Sequence, residues 1–248
     1  MYLGADISKS YYSDGSYAWT MGLRIYLKKT ICNVKKQLLH YNLMFNRKLS
    51  DVRYFPKKNT FLSIDYKLEF DTTLECDQDQ TNYFQNLIGV LLWIVELGRI
   101  DIAYEVSSLS KFLAKPQTEH IYQALHIFKY LERHIRNKLS FDPLYHNHAH
   151  SKDTNKTIRD MKEVYVDAIE GLPSNAPKPQ GKSVQINCFV DADHGGDKIT
   201  RQSQTRIILF ENSAPLIWYS KRQNTVESST FGAEFLALGI AAEMVSAF

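Results

Sequence analysis

Cysteine is scarce in this chain: Cys32, Cys76 and Cys188 are the only three among 248 residues. An odd, scattered set forms neither a disulfide framework nor a zinc-ligand pattern, which points to a reducing compartment. Long apolar runs are missing as well. LIGVLLWIV, at 87–95, is stopped by Glu96, far short of the roughly 20 residues a membrane span requires. The opening MYLGADISKSYY lacks the basic start and apolar stretch of a secretory leader. A strong charge bias is absent too. Thirty Lys and Arg face 27 Asp and Glu, a net charge of +3, which permits nucleic-acid binding without arguing for it. The expectation is an intracellular protein, of cytoplasm or nucleus, with no membrane partner.

Hydrophobic residues make up 44% of the chain and aromatics 12%, enough for a buried core in one or two domains. MYLGADI and YAWTM read as two short strands around an Asp-Gly turn. LRIYLKKTICNVKKQLLHY then carries Leu23, Tyr26, Leu27, Ile31, Val34 and Leu38 near helical spacing. Residues 46–80 show weak periodicity and read as loop. Residues 81–139 read as mostly helical. TNYFQNLIGVLLWIVELG is a buried helix closed by Gly98, and RIDIAYEVSSLSKFLAK is a second, stopped by Pro116. QTEHIYQALHIFKYLERHIR, with Ile121, Leu125, Phe128 and Leu131 on one stripe, is a third. Residues 142–182 hold four of the seven prolines and read as a linker between two bodies. After it, VQINCFV, RIILF and PLIWYS read as strands, with ENSA as a hairpin loop. A helix follows from Thr230.

The chemistry concentrates at CFVDADHGGDKITRQSQ, residues 188–204. Asp191 and Asp193 follow an apolar run, and a His-Gly-Gly turn and Asp197 come next. Acids at a strand end are most often turn formers. They are also what a divalent cation needs, because magnesium takes hard oxygen ligands. Ser228, Ser229 and Thr230 read as caps for the final helix. The basic residues around 120–138, Lys129 and Arg133 among them, together with Lys221 and Arg222, could follow a phosphate backbone or simply face water.

VDADHGGDKITRQSQ, followed by IWYSKRQNTVESSTFGAEFLAL, resembles the ribonuclease H domain of copia-type LTR retrotransposon Pol polyproteins. The upstream run from NYFQNLIGVLLWIVELG to EHIYQALHIFKYLERH is similar to the segment that joins reverse transcriptase to that domain. MYLGADI looks like the strand just beyond the polymerase site. The resemblance implies an α/β fold. Residues 1–141 would be the end of the reverse transcriptase palm plus a helical thumb and connection region, and 142–182 the linker. Residues 183–248 would form the N-terminal half of a ribonuclease H-like mixed sheet with a packed helix.

The resemblance also implies a two-magnesium site in the parent family, with Asp191 and Glu234 as metal-binding, catalytic carboxylates. The ancestral activity would be hydrolysis of RNA in RNA–DNA hybrids. Partners would be such a hybrid or another nucleic acid, and the remainder of the polyprotein. Lys129, Arg133, Lys221 and Arg222 would make the nucleic-acid contacts. Asp191 and Glu234 are expected to face one another, with Asp193 turned to the opposite side of the strand.

Departures from the pattern point to an inactive fragment. The polymerase's paired aspartates are absent. The chain stops before the strand that would carry a further metal ligand. Arg206 stands where the family usually has glycine, and Leu68 and Leu74 where it usually has proline. Two other readings remain open at this point: a non-catalytic nucleic-acid-binding remnant, and a purely structural one.

Overall fold

The structure is a computed structural model. It describes residues 4–45, 61–62, 67–143, 175, 177–178, 181 and 184–247, with residues 40–45 and 69 by backbone alone. The proposed linker at 142–182 and most of the first part of the proposed loop at 46–80 therefore fall largely outside the described residues; from residue 67 on, that loop holds a 3₁₀ turn at Leu68–Phe70 and the start of a helix at Gln78.

The first layer begins with a hairpin, β1 (Asp6–Tyr11) and β2 (Tyr17–Gly22). The strand starts later than MYLGADI suggests and runs on into SKSY. The turn is correspondingly tight. Gly15 adopts φ +84°, the Asp14 carboxylate accepts the Ser16 amide at 2.9 Å, and the Tyr12 amide reaches the Ser16 carbonyl at 2.8 Å. A third strand, β3 (Lys138–Phe141), pairs antiparallel with β2. Sequence periodicity missed it, because four residues are too few to show alternation beside a long helical pattern.

Of the stripe read from the sequence, Leu23 just before helix α1 (Arg24–Phe45) and Leu27, Ile31, Val34 and Leu38 on it are buried, whereas Tyr26 is half-buried. Helix α2 (Gln78–Glu96) starts with a capping box. The Asp77 carboxylate accepts the Gln80 amide while the Gln80 side chain accepts the Asp77 amide. Gly98, at φ +105°, ends it. The segment 99–115 is not one helix. A 3₁₀ turn at Ile100–Ile102 leads into the short helix α3 (Ala103–Ser110). Helix α4 (Thr118–Arg133) is buried almost all round. Ile121, Leu125, Phe128 and Leu131 join Phe84, Leu87, Ile88, Leu91 and Ile94 of α2 in the main core.

The second sheet has strands β4 (Ile186–Asp193), β5 (Gln204–Glu211) and β6 (Ala214–Arg222), in that order. All its pairings are antiparallel, so the architecture is α/β but no mixed sheet forms among the described residues. Helix α5 (Thr230–Ser246) packs back on β4. The contact is slight: Ala233 and Ala237 meet Ala192 and Val190.

The two sheets do not stand apart. Trp218 on β6 donates its indole N–H to the Val95 carbonyl at 3.1 Å, and β6 lies along α3. Asn212, at the β5–β6 turn with φ +54°, ties down both ends of the connecting stretch. Its side-chain amide donates to the Pro143 carbonyl at 3.1 Å. Its side-chain oxygen accepts the Gln185 amide at 3.0 Å, and its own amide donates to the Gln185 carbonyl at 2.7 Å.

Candidate functional site

Strand β4 delivers Asp191 and Asp193 to its C-terminal end. Residues two apart on a strand share a face, so Asp193 does not turn away from Asp191; the parity of the expectation was wrong. Ala192, between them, points into α5. The two carboxylates therefore look the other way, toward α3.

What meets them there is Arg206, on the neighbouring strand directly opposite Asp191 in register. Its Nη1 donates to Asp191 Oδ2 at 3.1 Å and its Nη2 to Asp193 Oδ2 at 3.4 Å. The guanidinium lies over the Tyr104 ring, 4.5 Å from its centroid, a cation–π arrangement. The Tyr104 hydroxyl donates to Asp193 Oδ2 at 3.4 Å. Burial pushes the carboxyl of Glu105, next along α3, above its ordinary range, and the nearby Arg206 charge offsets part of that rise. Arg206 thus joins two carboxylates of one sheet to a helix of the other body.

The turn after β4 is built around two more fixed points. Asp193 Oδ1 accepts the Gln204 amide at 2.5 Å, and a Cβ at Gly196 would collide with the Asp193 carboxylate. Asp197, in the loop after that turn, is buried. Burial alone would raise its pKa, but hydrogen bonds from Thr200 and Ile199 and the charge of Lys111 hold it below the usual carboxylate range. Lys111 Nζ lies 3.8 Å from it and Arg222 Nη1 3.5 Å. Gln204 adds a bond across to α3, its Nε2 donating to Ser107 Oγ at 2.9 Å. His194 reaches the Glu227 carbonyl at 3.1 Å.

Glu234 sits in the first turns of α5, next to Ala233, on the element that covers the other face of β4. It is half-buried. The start of that helix is well fixed. Ser229 Oγ accepts the Gly232 amide at 3.0 Å, as the capping reading expects. Gln223 Nε2 donates to Thr205 Oγ1 at 3.0 Å and to the Ala233 carbonyl at 2.9 Å. Among the described residues, no three His, Cys, Asp or Glu side chains converge closely enough to hold a metal ion.

The basic residues divide. Arg133 and Lys221 are exposed, whereas Lys129 and Arg222 are half-buried. His120 and His126 do not face outward with them. His120 is fully buried; its Nδ1 accepts the Gln117 amide at 3.0 Å, so its Nε2 carries the proton toward the Leu68 carbonyl at 3.3 Å. His126 bonds the Phe61 carbonyl at 3.0 Å. A polar network that the sequence did not announce lies nearby. Buried Arg99 forks onto Asp101 at 2.9 and 2.7 Å and donates to the His134 carbonyl at 3.2 Å. The Tyr130 hydroxyl donates to Asp101 at 3.0 Å, and burial pushes its pKa up to about 12. Among the described residues no helix is long and apolar enough to cross a membrane.

Comparison with known sequences bears on this arrangement. The chain is 42% identical over 153 residues to a transposon Ty5-1 protein of Saccharomyces cerevisiae, an alignment covering 62% of this chain and 37% of that protein. It is 25% identical over 158 residues to a retrovirus-related Pol polyprotein from transposon RE1 of Arabidopsis thaliana, covering 63% of this chain and 8% of that one. The chain thus spans well under half the length of these relatives. No family model matches it, and no solved structure matches it.

Proposed function

We propose that this chain, a homologue of transposon-encoded Pol polyproteins, is a thumb-and-connection segment joined to a ribonuclease H-derived unit that no longer cuts nucleic acid. The order of elements supports the second half of that reading. Three antiparallel strands, the first carrying Asp191 near its C-terminal end, are followed by a helix that returns to the first strand.

The observation that carries the loss of cleavage is the Asp191–Arg206 pair at 3.1 Å. In phosphodiester hydrolysis a metal ion would polarise the phosphoryl oxygen and activate water. Asp191 and Glu234 are the residues the resemblance assigns to that ion. Asp191 lies on β4 with its carboxylate already paired to Arg206, and Glu234 lies on α5, whose Ala233 and Ala237 pack against Val190 and Ala192 on the other face of that strand. This donor set does not fit a two-magnesium site. What remains for the chain is electrostatic contact with a nucleic-acid backbone through Arg133 and Lys221, with Lys129 and Arg222 at the margins.

Two measurements on the full chain test this. Incubation with an RNA–DNA hybrid and magnesium should leave the RNA intact. Cleavage that stops in Asp191→Asn would overturn the inactive reading. Anisotropy with a labelled hybrid should show weak binding that falls as salt rises, since phosphate contacts release counterions. Arg133→Glu with Lys221→Glu should weaken it further. Binding indifferent to salt and to both substitutions would leave a structural remnant.

A further inference from the structure

We propose that a cavity between α1, α2 and α4 is a binding site for a small molecule bearing a quaternary ammonium group, of about the size of choline. None of its lining residues belongs to the Asp191–Arg206 edge, so the inference stands apart from the non-cleaving reading above.

The cavity measures about 290 Å³, near the lower end for a small-molecule site, so its occupant is small. Its floor is mostly apolar. Leu38 of α1, Tyr83 of α2, and Ile121 and Leu125 of α4 line it and are buried, and Tyr122 lines it half-buried. Glu75 and Asp77, both exposed, form its mouth. No lysine or arginine is among the described residues that line it.

The negative potential at this mouth is felt by a neighbour. Burial first, and then the charges of Asp77, Asp71 and Glu75, push the Cys76 thiol up to about 11. The mouth is also fixed in place. The Cys76 amide donates to the Pro116 carbonyl at 2.9 Å, and the Thr118 amide to the Leu74 carbonyl at 3.0 Å. Asp77 is held by its capping box. A site built this way needs little ordering when a ligand arrives.

The wall chemistry selects the ligand. Apolar side chains take methyl groups. Tyrosine rings attract a cation. Carboxylates at the mouth add to that attraction and repel anions. A trimethylammonium group answers all three, since it is positive, covered with methyls and has no N–H that needs an acceptor. A primary ammonium would surrender its hydration to an apolar floor without enough partners in return.

Choline is the probe, and dimethylbutanol, its uncharged carbon analogue of the same shape, is the control. Each is titrated into the full chain, and the methyl proton resonance reports binding. Choline should bind roughly 5- to 30-fold tighter than the alcohol. Tyr122→Leu keeps the apolar volume and removes a ring. Glu75→Gln with Asp77→Asn removes the charge, while asparagine still caps α2. Each variant should weaken choline about fivefold, and the charge variant should leave the alcohol unchanged. A melting curve matching the parent's shows that a variant is folded.

Equal affinity for choline and the alcohol would overturn the proposal and leave a merely apolar cavity. So would choline binding that both folded variants leave intact, or no saturable choline binding at all. If Tyr122→Leu unfolds the chain, the charge variant decides alone: unchanged choline affinity in it refutes the site.

Discussion

Replacing Arg99 by methionine should destabilise the helical body by about 2–3 kcal/mol, and the figure can be built from its surroundings. Arg99 is 4% exposed. Its guanidinium is held by both oxygens of Asp101 and by the His134 carbonyl. Breaking a fully buried ion pair by removing one partner costs about 3–5 kcal/mol, mostly because a charge is left unpaired. Asp101 is not fully buried, at 28% exposure, so water can recover part of that. It also keeps the Tyr130 hydroxyl as a donor. Both facts pull the cost to the lower figure. For a chain of this size, about 2–3 kcal/mol lowers the melting temperature by roughly 5–10 °C.

Urea unfolding followed by circular dichroism gives the free energy, and a double-mutant cycle gives its origin. Arg99→Met with Asp101→Asn should cost less than the two changes summed, with a coupling of at least about 1 kcal/mol. A loss under ~1 kcal/mol, or a coupling near zero, would refute the argument that this pair fixes the elbow between α2, the 3₁₀ turn and the end of α4.

Other outcomes follow from the same structure. Burial holds His120 below its ordinary value of 6.5, so it stays neutral when folded while the unfolded chain takes up a proton. Its stabilisation should be complete above pH 6.5 and be lost as the pH falls from there toward the lower folded value; a pH series of urea midpoints in which His120→Gln shows the same slope would contradict this. Ser229→Ala should cost about 1 kcal/mol of stability through the lost cap of α5, whereas Ser228→Ala should cost nothing measurable in the same urea series. Phe231 and Phe235 are 77% and 64% exposed; changing both to glutamine should lower binding of an apolar dye without loss of helix, and unchanged dye binding would place the exposed apolar surface elsewhere.

Much of the helical body was legible because burial there follows one period. Leu23, Leu27, Ile31, Val34 and Leu38 reached the core as their spacing implied, and Gly98 and Ser229 marked their helix ends. The site was legible only in part. Asp191 was picked out by its place after an apolar run. Its true partner, Arg206, was visible solely as an odd residue where the resemblance expected glycine. A cross-strand pair has no fixed spacing in sequence, since it depends on register. Tyr104 and Glu105 come from a different element again, and nothing in RIDIAYEV announces that this turn of helix will face a strand end. The burial of His120 and His126 was not legible for a different reason. A helix buried on nearly every side leaves no polar face from which to read direction.

The bonds at Asn212 have a consequence for chain length. Because one residue holds both Pro143 and Gln185, the chain between them leaves and returns at nearly one point. The entropy of closing such a circuit rises only slowly, by about 0.6 kcal/mol for each doubling of its length. Insertions or deletions between 144 and 183 should therefore leave the register of both sheets untouched, and relatives could differ there by many residues at little thermodynamic expense. The sensitive spot is the clasp. A β-branched residue at position 212 would meet the left-handed backbone with strain and release both ends at once.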